Sequence, residues 1–294
     1  MSGSEELSPA VTLAVLAAAV THAGWNAIAH AIEDKLVAFT LVGGAGAVCG
    51  GLIAPFVAVP HAGAWPYLIA SVGVHVVYQL LLMESFRLGD FSQMYPIARG
   101  SAPLVVTVLA AVFVGERPDV WQALGVLVAC CGLAFVALLG PGERPKGEGP
   151  PWPAICAALA TGLSIAAYTV VDGVGVRAAG GAPGYTAWLL LLQGTVIPCI
   201  AAVRLRGELP RRARPVAGRG ITGGVMSVSA YGLVLWAQTR GALAPIAALR
   251  ECSIMVGAAM GTVFFNERFG RPRIVATVLV LAGIVLLTTG GRPA

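Results

Sequence analysis

The sequence predicts an all-α integral membrane protein with ten transmembrane helices arranged as two inverted five-helix repeats. Three observations support this prediction: the scarcity of charge, the number of long apolar stretches, and an internal repeat. Hydrophobic residues make up 57% of the 294 residues and charged residues only 11%, whereas a soluble domain usually carries roughly 25%. So few charges cannot cover a soluble surface of this size, and the mean hydropathy of +0.82 agrees. Lipid is therefore the expected solvent for most of the chain.

Ten apolar stretches follow one another along the chain. A helix needs about 20 apolar residues to cross a bilayer, and in lipid it satisfies its own backbone hydrogen bonds. The predicted spans are 9–31, 36–59, 64–86, 92–114, 119–139, 151–172, 184–204, 218–238, 243–265 and 272–290. No basic segment precedes the first stretch, so we expect a retained helix there and not a cleaved signal peptide. The short loops leave no room for a soluble enzymatic or nucleic-acid-binding domain, despite a pI near 9.1.

The two halves of the chain repeat. A shift of 151 residues places Arg99 on Arg250, Glu116-Arg117 on Glu267-Arg268 and Gly132 on Gly283, and a shift of 153 places Tyr78 on Tyr231. The predicted units are residues 1–140 and 151–294, joined by a linker at 141–150 that is rich in Gly, Pro and charge. Because five helices enter on one side of a membrane and leave on the other, the second unit is expected to lie upside down, as in many secondary transporters.

The distribution of basic residues predicts an orientation. Thirteen of the 19 Lys and Arg residues fall in loops after odd-numbered spans and four fall on the opposite side. Basic loops face the cytoplasm, so loop 204–219 is expected inside and both termini outside an inner (cell) membrane. The remaining two, Arg99 and Arg250, lie inside predicted spans.

Short motifs accompany these spans. Residues 22–26 (HAGWN) lie in the first span, residues 95–100 (YPIARG) lie in the fourth, and Gly-Glu or Asn-Glu pairs close the fourth and ninth. With these features, nearly the whole chain resembles the drug/metabolite transporter superfamily, specifically its EamA-type branch. The resemblance implies export or exchange of small metabolites such as amino acids, nucleotide sugars or phosphorylated sugars. Many relatives keep both termini in the cytoplasm, opposite to the orientation that the basic residues predict here.

Arg99 and Arg250 are the leading candidates for substrate contact. A charge at membrane depth costs about 2.5–3.5 kcal/mol on insertion scales, so such residues usually serve a function. In inverted halves the two side chains would converge on the midplane, where guanidinium groups suit a carboxylate or phosphate. The alternative is internal ion pairing, of Arg99 with Glu84 and of Arg250 with Glu251 or another helix.

Polar stripes on the first and third spans face either a substrate cavity or neighbouring helices, where they would form interhelical hydrogen bonds. His75 and Glu84 on the third span are candidates for proton coupling. The predicted substrate-binding residues are Arg99, Arg250, Trp25, Asn26, His22, Tyr78, Gln79, Tyr95, Tyr168, Tyr231 and Glu251.

These features predict a secondary active transporter, an exporter or exchanger of a small anionic or zwitterionic metabolite such as an amino acid. It would work by alternating access, with a proton or counter-substrate as coupling partner, as a monomer or homodimer in the lipid bilayer. A channel and a membrane-embedded enzyme are the alternatives. No cofactor or metal is expected, because the six cysteines form no Cys-x-x-Cys pair and the histidines lack acidic partners at ligand spacing. Glycine pairs such as Gly46/Gly50 and Gly220/Gly224 predict close helix packing.

Overall fold

The computed structural model describes residues 8–109, 120–139, 152–241, 246, 249–250, 252–265 and 271–289, and within these every regular element is helical. The helices are α1 Pro9–Ala31, α2 Lys35–Ile53, α3 Trp65–Leu88, α4 Phe91–Leu109, α5 Val120–Leu139, α6 Trp152–Ala178, α7 Ala182–Leu205, α8 Leu209–Ala213, α9 Ala217–Gln238, α10 Ser253–Phe265 and α11 Arg271–Thr289. The all-α prediction is therefore confirmed. The predicted linker at 141–150, the Glu116-Arg117 and Glu267-Arg268 pairs, and Glu251 lie outside the described residues.

Six helical segments of the described chain are long and apolar enough to cross a membrane. They are Pro9–Ala31, Lys35–Phe56, Ala62–Leu88, Trp152–Ala178, Ala182–Leu205 and Leu209–Gln238. The other four predicted spans fall on α4, α5, α10 and α11, and each of them extends into residues outside the described ranges. Composition thus supports membrane-spanning helices in both halves of the chain.

The main helix contacts between the two halves follow the repeat. Helix α1 packs on α9 and α10, and its counterpart α6 packs on the corresponding helices α3 and α4. Helices α2 and α7, which correspond to each other, pack together, and so do α5 and α11. The bundle core therefore forms between the halves and not within each half alone.

Two of these contacts depend on glycine. At the α2–α7 crossing, a Cβ on Gly194 would lie 2.5 Å from the carbonyl oxygen of Gly43. At the α5–α11 crossing, a Cβ on Gly283 would lie 2.5 Å from the backbone nitrogen of Ala129. Both distances are too short for a real Cβ, so the backbones meet directly, as small residues allow in membranes. The predicted packing role is confirmed for further glycines: Gly50 lies against α7, and Gly220 and Gly224 lie against α2.

The loops meet at two ends of the bundle. At one end Arg212 pairs with Asp34 at 3.3 Å, which joins the segment after α7 to the loop after α1. Arg212 also bonds the exposed Glu208, which holds the pKa of that carboxyl below its usual range. At the other end the Arg177 guanidinium donates to the Gly241 carbonyl at 3.0 Å, which joins the loops after α6 and α9. The loop after α2 reaches the same end, where the His61 backbone N–H donates to the carbonyl of Ala179.

Candidate functional site

A cavity of about 60 Å³ lies in the centre of the described bundle. Helices α1, α2, α3, α6, α7 and α9 line it, so both halves contribute. Its polar and aromatic wall residues are His22, Trp25, Phe39, His75, Tyr78, Gln79, Tyr168, Gln193, Ser227 and Tyr231. The cavity is wide enough for a few water molecules.

The structure places seven of the predicted site residues in this wall: Trp25, His22, Tyr78, Gln79, Tyr168, Tyr231 and His75. The Trp25 indole N–H donates to His22 Nδ1 at 3.2 Å, which fixes both rings on α1. The Gln79 amide donates to the Gln193 side-chain oxygen at 3.4 Å and so links the two halves across α3 and α7.

The two buried arginines meet behind this wall. Arg99 Nη2 donates to the backbone carbonyl of Arg250 at 3.4 Å, and the two residues are only 1% and 5% exposed. Their charges act on His22 and Tyr78, both of which line the cavity. The arginines therefore form a cationic layer next to the cavity, although neither is part of its wall.

The proposed ion pair between Arg99 and Glu84 is wrong. Glu84 accepts hydrogen bonds from Arg87 at 2.5 and 2.9 Å, and its side chain is 43% exposed. It lies one turn before the end of α3, where a carboxylate reaches polar surroundings and an arginine at i+3 is a natural partner.

Two other predicted residues are buried but lie outside the cavity wall. Asn26 donates its side-chain amide to the His22 carbonyl at 2.8 Å, within its own helix. Tyr95 stacks on Phe91 at a centroid distance of 5.0 Å and packs against Gly257 of α10. Both side chains therefore take part in helix structure and packing outside the cavity wall.

A buried aspartate that the sequence analysis did not select lies beside the cavity. Asp172 is 1% exposed and accepts a 3.0 Å hydrogen bond from the Tyr185 hydroxyl on one oxygen. Its other oxygen accepts a bond from the hydroxyl of Tyr231, a residue of the cavity wall. Tyr185 reaches this position because Gly175, one turn along α6, has no side chain in its path.

His75 lies close to this group. Its Nδ1 lies 3.0 Å from the Ser71 carbonyl and 3.1 Å from the Ser71 hydroxyl. The imidazole stacks on Tyr168 at 4.2 Å and meets the Tyr231 ring edge-on at 5.3 Å. Tyr231 thus contacts both groups, His75 through its ring and Asp172 through its hydroxyl.

Comparison with known proteins supports a transport role. The model of the EamA-like transporter family matches residues 9–138 and 152–289, which is most of the chain in two units. One solved crystal structure, described only as that of a protein, is similar with a TM-score of 0.63 and 16% identity. The similarity covers 96% of this chain and 97% of that one, so the fold is shared. No curated protein matches the chain.

Proposed function

Because the chain belongs to the EamA-like transporter family, we propose that it is a secondary active transporter of a small zwitterionic or anionic metabolite, such as an amino acid. Membership of this family agrees with the resemblance found in the sequence motifs. The observation that carries the proposal is a cavity between the two halves that has two buried arginines and a buried aspartate close to its wall.

The cationic layer suits a carboxylate of the substrate. Arg99 and Arg250 act on His22 and Tyr78, and within the described chain neither Arg250 Nε nor His22 Nε2 has a hydrogen-bond partner. A buried donor without a partner costs free energy, so an oxygen ligand that reaches it gains affinity. Guanidinium groups bind carboxylates with charge-assisted hydrogen bonds.

The buried carboxylate suits an ammonium group. Asp172 lies behind Tyr231, whose hydroxyl donates to it and so leaves the oxygen lone pairs of Tyr231 available to a donor in the cavity. His75 and Tyr78 both line the cavity, and Tyr231 of the same wall bonds Asp172. A cavity with buried cations and a buried carboxyl group behind its wall favours a molecule that carries both charges, such as an amino acid.

Alternating access fits the architecture. The main contacts between the halves follow the repeat, since α1 packs on α9 and α6 packs on α3, and the loops after the corresponding helices α1 and α6 lie at opposite ends of the bundle. These features support two inverted repeats with a site between them. The cavity of about 60 Å³ is well below the roughly 300–1,000 Å³ of usual small-molecule pockets, so we expect the halves to move before substrate enters. This requirement favours a transporter over an open channel.

Filling the cavity tests the proposal. Gly46 of α2 lines the cavity, and a Cβ there would meet only side-chain atoms, at 3.8 and 4.0 Å. Gly46→Leu is therefore expected to fold and to lower transport by about tenfold or more, because a branched aliphatic side chain occupies the substrate volume. The measurement is efflux of a ¹⁴C-labelled L-amino-acid mixture from proteoliposomes.

Gly44→Leu is the matched control, since Gly44 lies on the same helix outside the wall and its Cβ has one neighbour, at 3.8 Å. Equal loss in both variants, or in neither, contradicts a substrate path through this cavity.

The orientation of the chain is a separate prediction. The end of the bundle that carries Glu208 and Arg212 is expected in the cytoplasm, with both termini outside, because it holds the most basic loop. A cysteine at exposed position 208, in a background without native cysteines, should react with a membrane-impermeant maleimide only in inverted vesicles. Position 61 at the other end should react only from outside intact cells, and the reverse pattern would place the termini in the cytoplasm.

A further inference from the structure

The segment between α7 and α9 carries a large excess of positive charge. Residues 204–219 contain six arginines and a single acidic residue, Glu208, so they carry an excess of five positive charges. The whole chain has a formal net charge of +5, so the remaining residues balance one another. All six arginines are exposed, and they are Arg204, Arg206, Arg211, Arg212, Arg214 and Arg219.

Five of these arginines have no protein partner within the described chain. Arg212 alone forms ion pairs, with Glu208 at 2.7 Å and with Asp34 at 3.3 Å. The other five form neither an ion pair nor a side-chain hydrogen bond with a described residue. Arg177, at the opposite end of the bundle, differs from them because it donates to two backbone carbonyls. The five arginines are therefore available to an anion from outside the protein.

The backbone lays this segment over one end of the bundle. Helix α7 ends at Leu205, and Arg206 and Gly207 then adopt left-handed conformations with φ of 43° and 90°. After this turn the chain forms α8 and a single 3-10 turn, Arg214–Val216, before α9 begins at Ala217. Helix α8 packs on α2 and α7. The basic segment is thus a short helical connection that is held against the bundle.

The segment has an apolar side and a basic side. Leu209, Ala213 and Val216 are half-buried, and their spacing of four and three residues places them on one face of a helix. Val216 packs against the central hydrophobic core. Arg211 and Arg214 lie between these positions and are exposed. An apolar side on the protein and a basic side facing outward are typical of segments at a membrane surface.

The arginines also lie where the lipid-facing surface of two spans ends. In the last turn of α7, Val203 is 77% exposed and directly precedes Arg204. In the first turns of α9, Ile221 is 53% exposed and follows two residues after Arg219. Both helices are apolar enough to cross a membrane, so these aliphatic side chains are expected to contact lipid tails. The adjacent guanidinium groups are then expected to lie among the lipid headgroups.

We propose that residues 204–219 form a binding surface for the phosphate headgroups of anionic phospholipids. Guanidinium groups form paired, charge-assisted hydrogen bonds with phosphate oxygens. Clusters of about four to eight basic residues beside a membrane helix are typical of such surfaces, and each residue strengthens the attraction by roughly fivefold. Lipid is favoured over a soluble polyanion because the arginines adjoin lipid-facing side chains on both helices. The inference does not depend on which substrate is transported.

Energy transfer from a single dye to labelled lipid tests the proposal. Gly218→Cys places a donor dye next to Arg219, and Gly63→Cys places the same dye at the other end of the bundle. Both glycines are exposed, and a Cβ at either position meets nothing within 4 Å. The full-length chain, without native cysteines, is placed in phosphatidylcholine vesicles that contain a minor fraction of phosphatidylglycerol. The acceptor is a trace of either lipid with a dye on one acyl chain, present in both leaflets, so the readout does not depend on orientation.

Phosphatidylglycerol is expected to be enriched beside the basic segment. At low salt, transfer at position 218 should be at least about threefold greater to labelled phosphatidylglycerol than to labelled phosphatidylcholine, whereas position 63 should show no preference. Most of the preference should disappear at about 1 M salt, where the Debye length falls to about 3 Å. Equal transfer to both lipids at position 218, or a preference that salt leaves unchanged, overturns the proposal.

Substitution of the five unpaired arginines identifies the groups that bind. Glutamine at all five positions should bring the ratio at position 218 close to one, whereas lysine keeps the charge and should retain most of the preference. Arg212 is left in place because it holds Asp34 and Glu208. A glutamine variant with the wild-type ratio overturns the proposal, and the salt series on unsubstituted arginines decides the question if that variant does not fold. If the lipids show no preference and labelled polyglutamate binds at position 218, the partner is an acidic protein and the lipid proposal is wrong.

Discussion

Replacing Arg99 or Arg250 by alanine is expected to lower transport by about 100-fold, which corresponds to roughly 3 kcal/mol of lost binding free energy. Truncating one partner of a buried, hydrogen-bonded charge pair costs about 2–5 kcal/mol, and a substrate carboxylate in this layer would lose such a partner. Arg99 donates to the backbone carbonyl of Arg250, which alanine at position 250 retains, so coupling between the two variants is expected to come from one substrate carboxylate that both side chains bind. The double variant is therefore expected to be little worse than either single variant.

The measurement is exchange of the ¹⁴C amino-acid mixture across proteoliposomes, with protein amount and thermal stability matched. Lysine variants keep the charge but lose the planar, two-pronged donor set, so they should retain about a tenth of the activity. Arg212→Ala is the matched control, because Arg212 is exposed and bonds only Asp34 and Glu208 in the described structure. Wild-type exchange by both alanine variants would exclude the cationic layer from the substrate site.

The two buried arginines could be predicted from sequence because a charge inside a membrane span costs free energy and therefore needs a reason. The internal repeat also relates Arg99 to Arg250 by sequence position alone. The rotation of each helix about its own axis could not be predicted. Asn26 follows Trp25 directly, yet only Trp25 lines the cavity, while the Asn26 side chain bonds its own helix. That difference depends on how α1 packs against α9 and α10.

The same argument did not identify Asp172, because the end of its helix was predicted too early. The sixth span was predicted at 151–172, which places Asp172 at its end, where charges are common. Helix α6 continues to Ala178, so Asp172 lies six residues inside it. The segment after Asp172 reads Gly-Val-Gly-Val-Arg-Ala, and its two glycines have low helix propensity. Packing overrides that propensity, since Gly173, Gly175 and Val176 are all buried and the missing Cβ of Gly175 makes room for Tyr185.

The α2–α7 crossing is expected to be the point of the fold most sensitive to a single methyl group. A Cβ on Gly194 would lie 2.5 Å from the Gly43 oxygen and 2.6 Å from the Ala47 nitrogen, and both are backbone atoms that no rotamer change can move. Gly194→Ala therefore has to push the two helices apart, which costs about 2 kcal/mol or more. In a protein of this size that loss corresponds to a fall in Tm of several degrees, measured by size-exclusion chromatography of heated samples in detergent.

Gly73→Ala provides the matched control, because Gly73 lies in α3 with nothing within 4 Å of the added Cβ. There the better helix propensity of alanine stabilises the fold by up to about 1 kcal/mol, so Tm should stay unchanged or rise. Gly50→Ala separates the effect on packing from the effect on transport. Its Cβ would meet the α7 backbone at 2.5 Å, as at the crossing, but Gly50 does not line the cavity. Gly43 and Gly194 do line it. Both crossing variants should lose stability, and Gly194→Ala should also lose transport per folded molecule, because it widens the crossing at the cavity. If Gly194→Ala keeps the Tm of wild type, α2 and α7 do not meet backbone to backbone, and the centre of the bundle is packed differently.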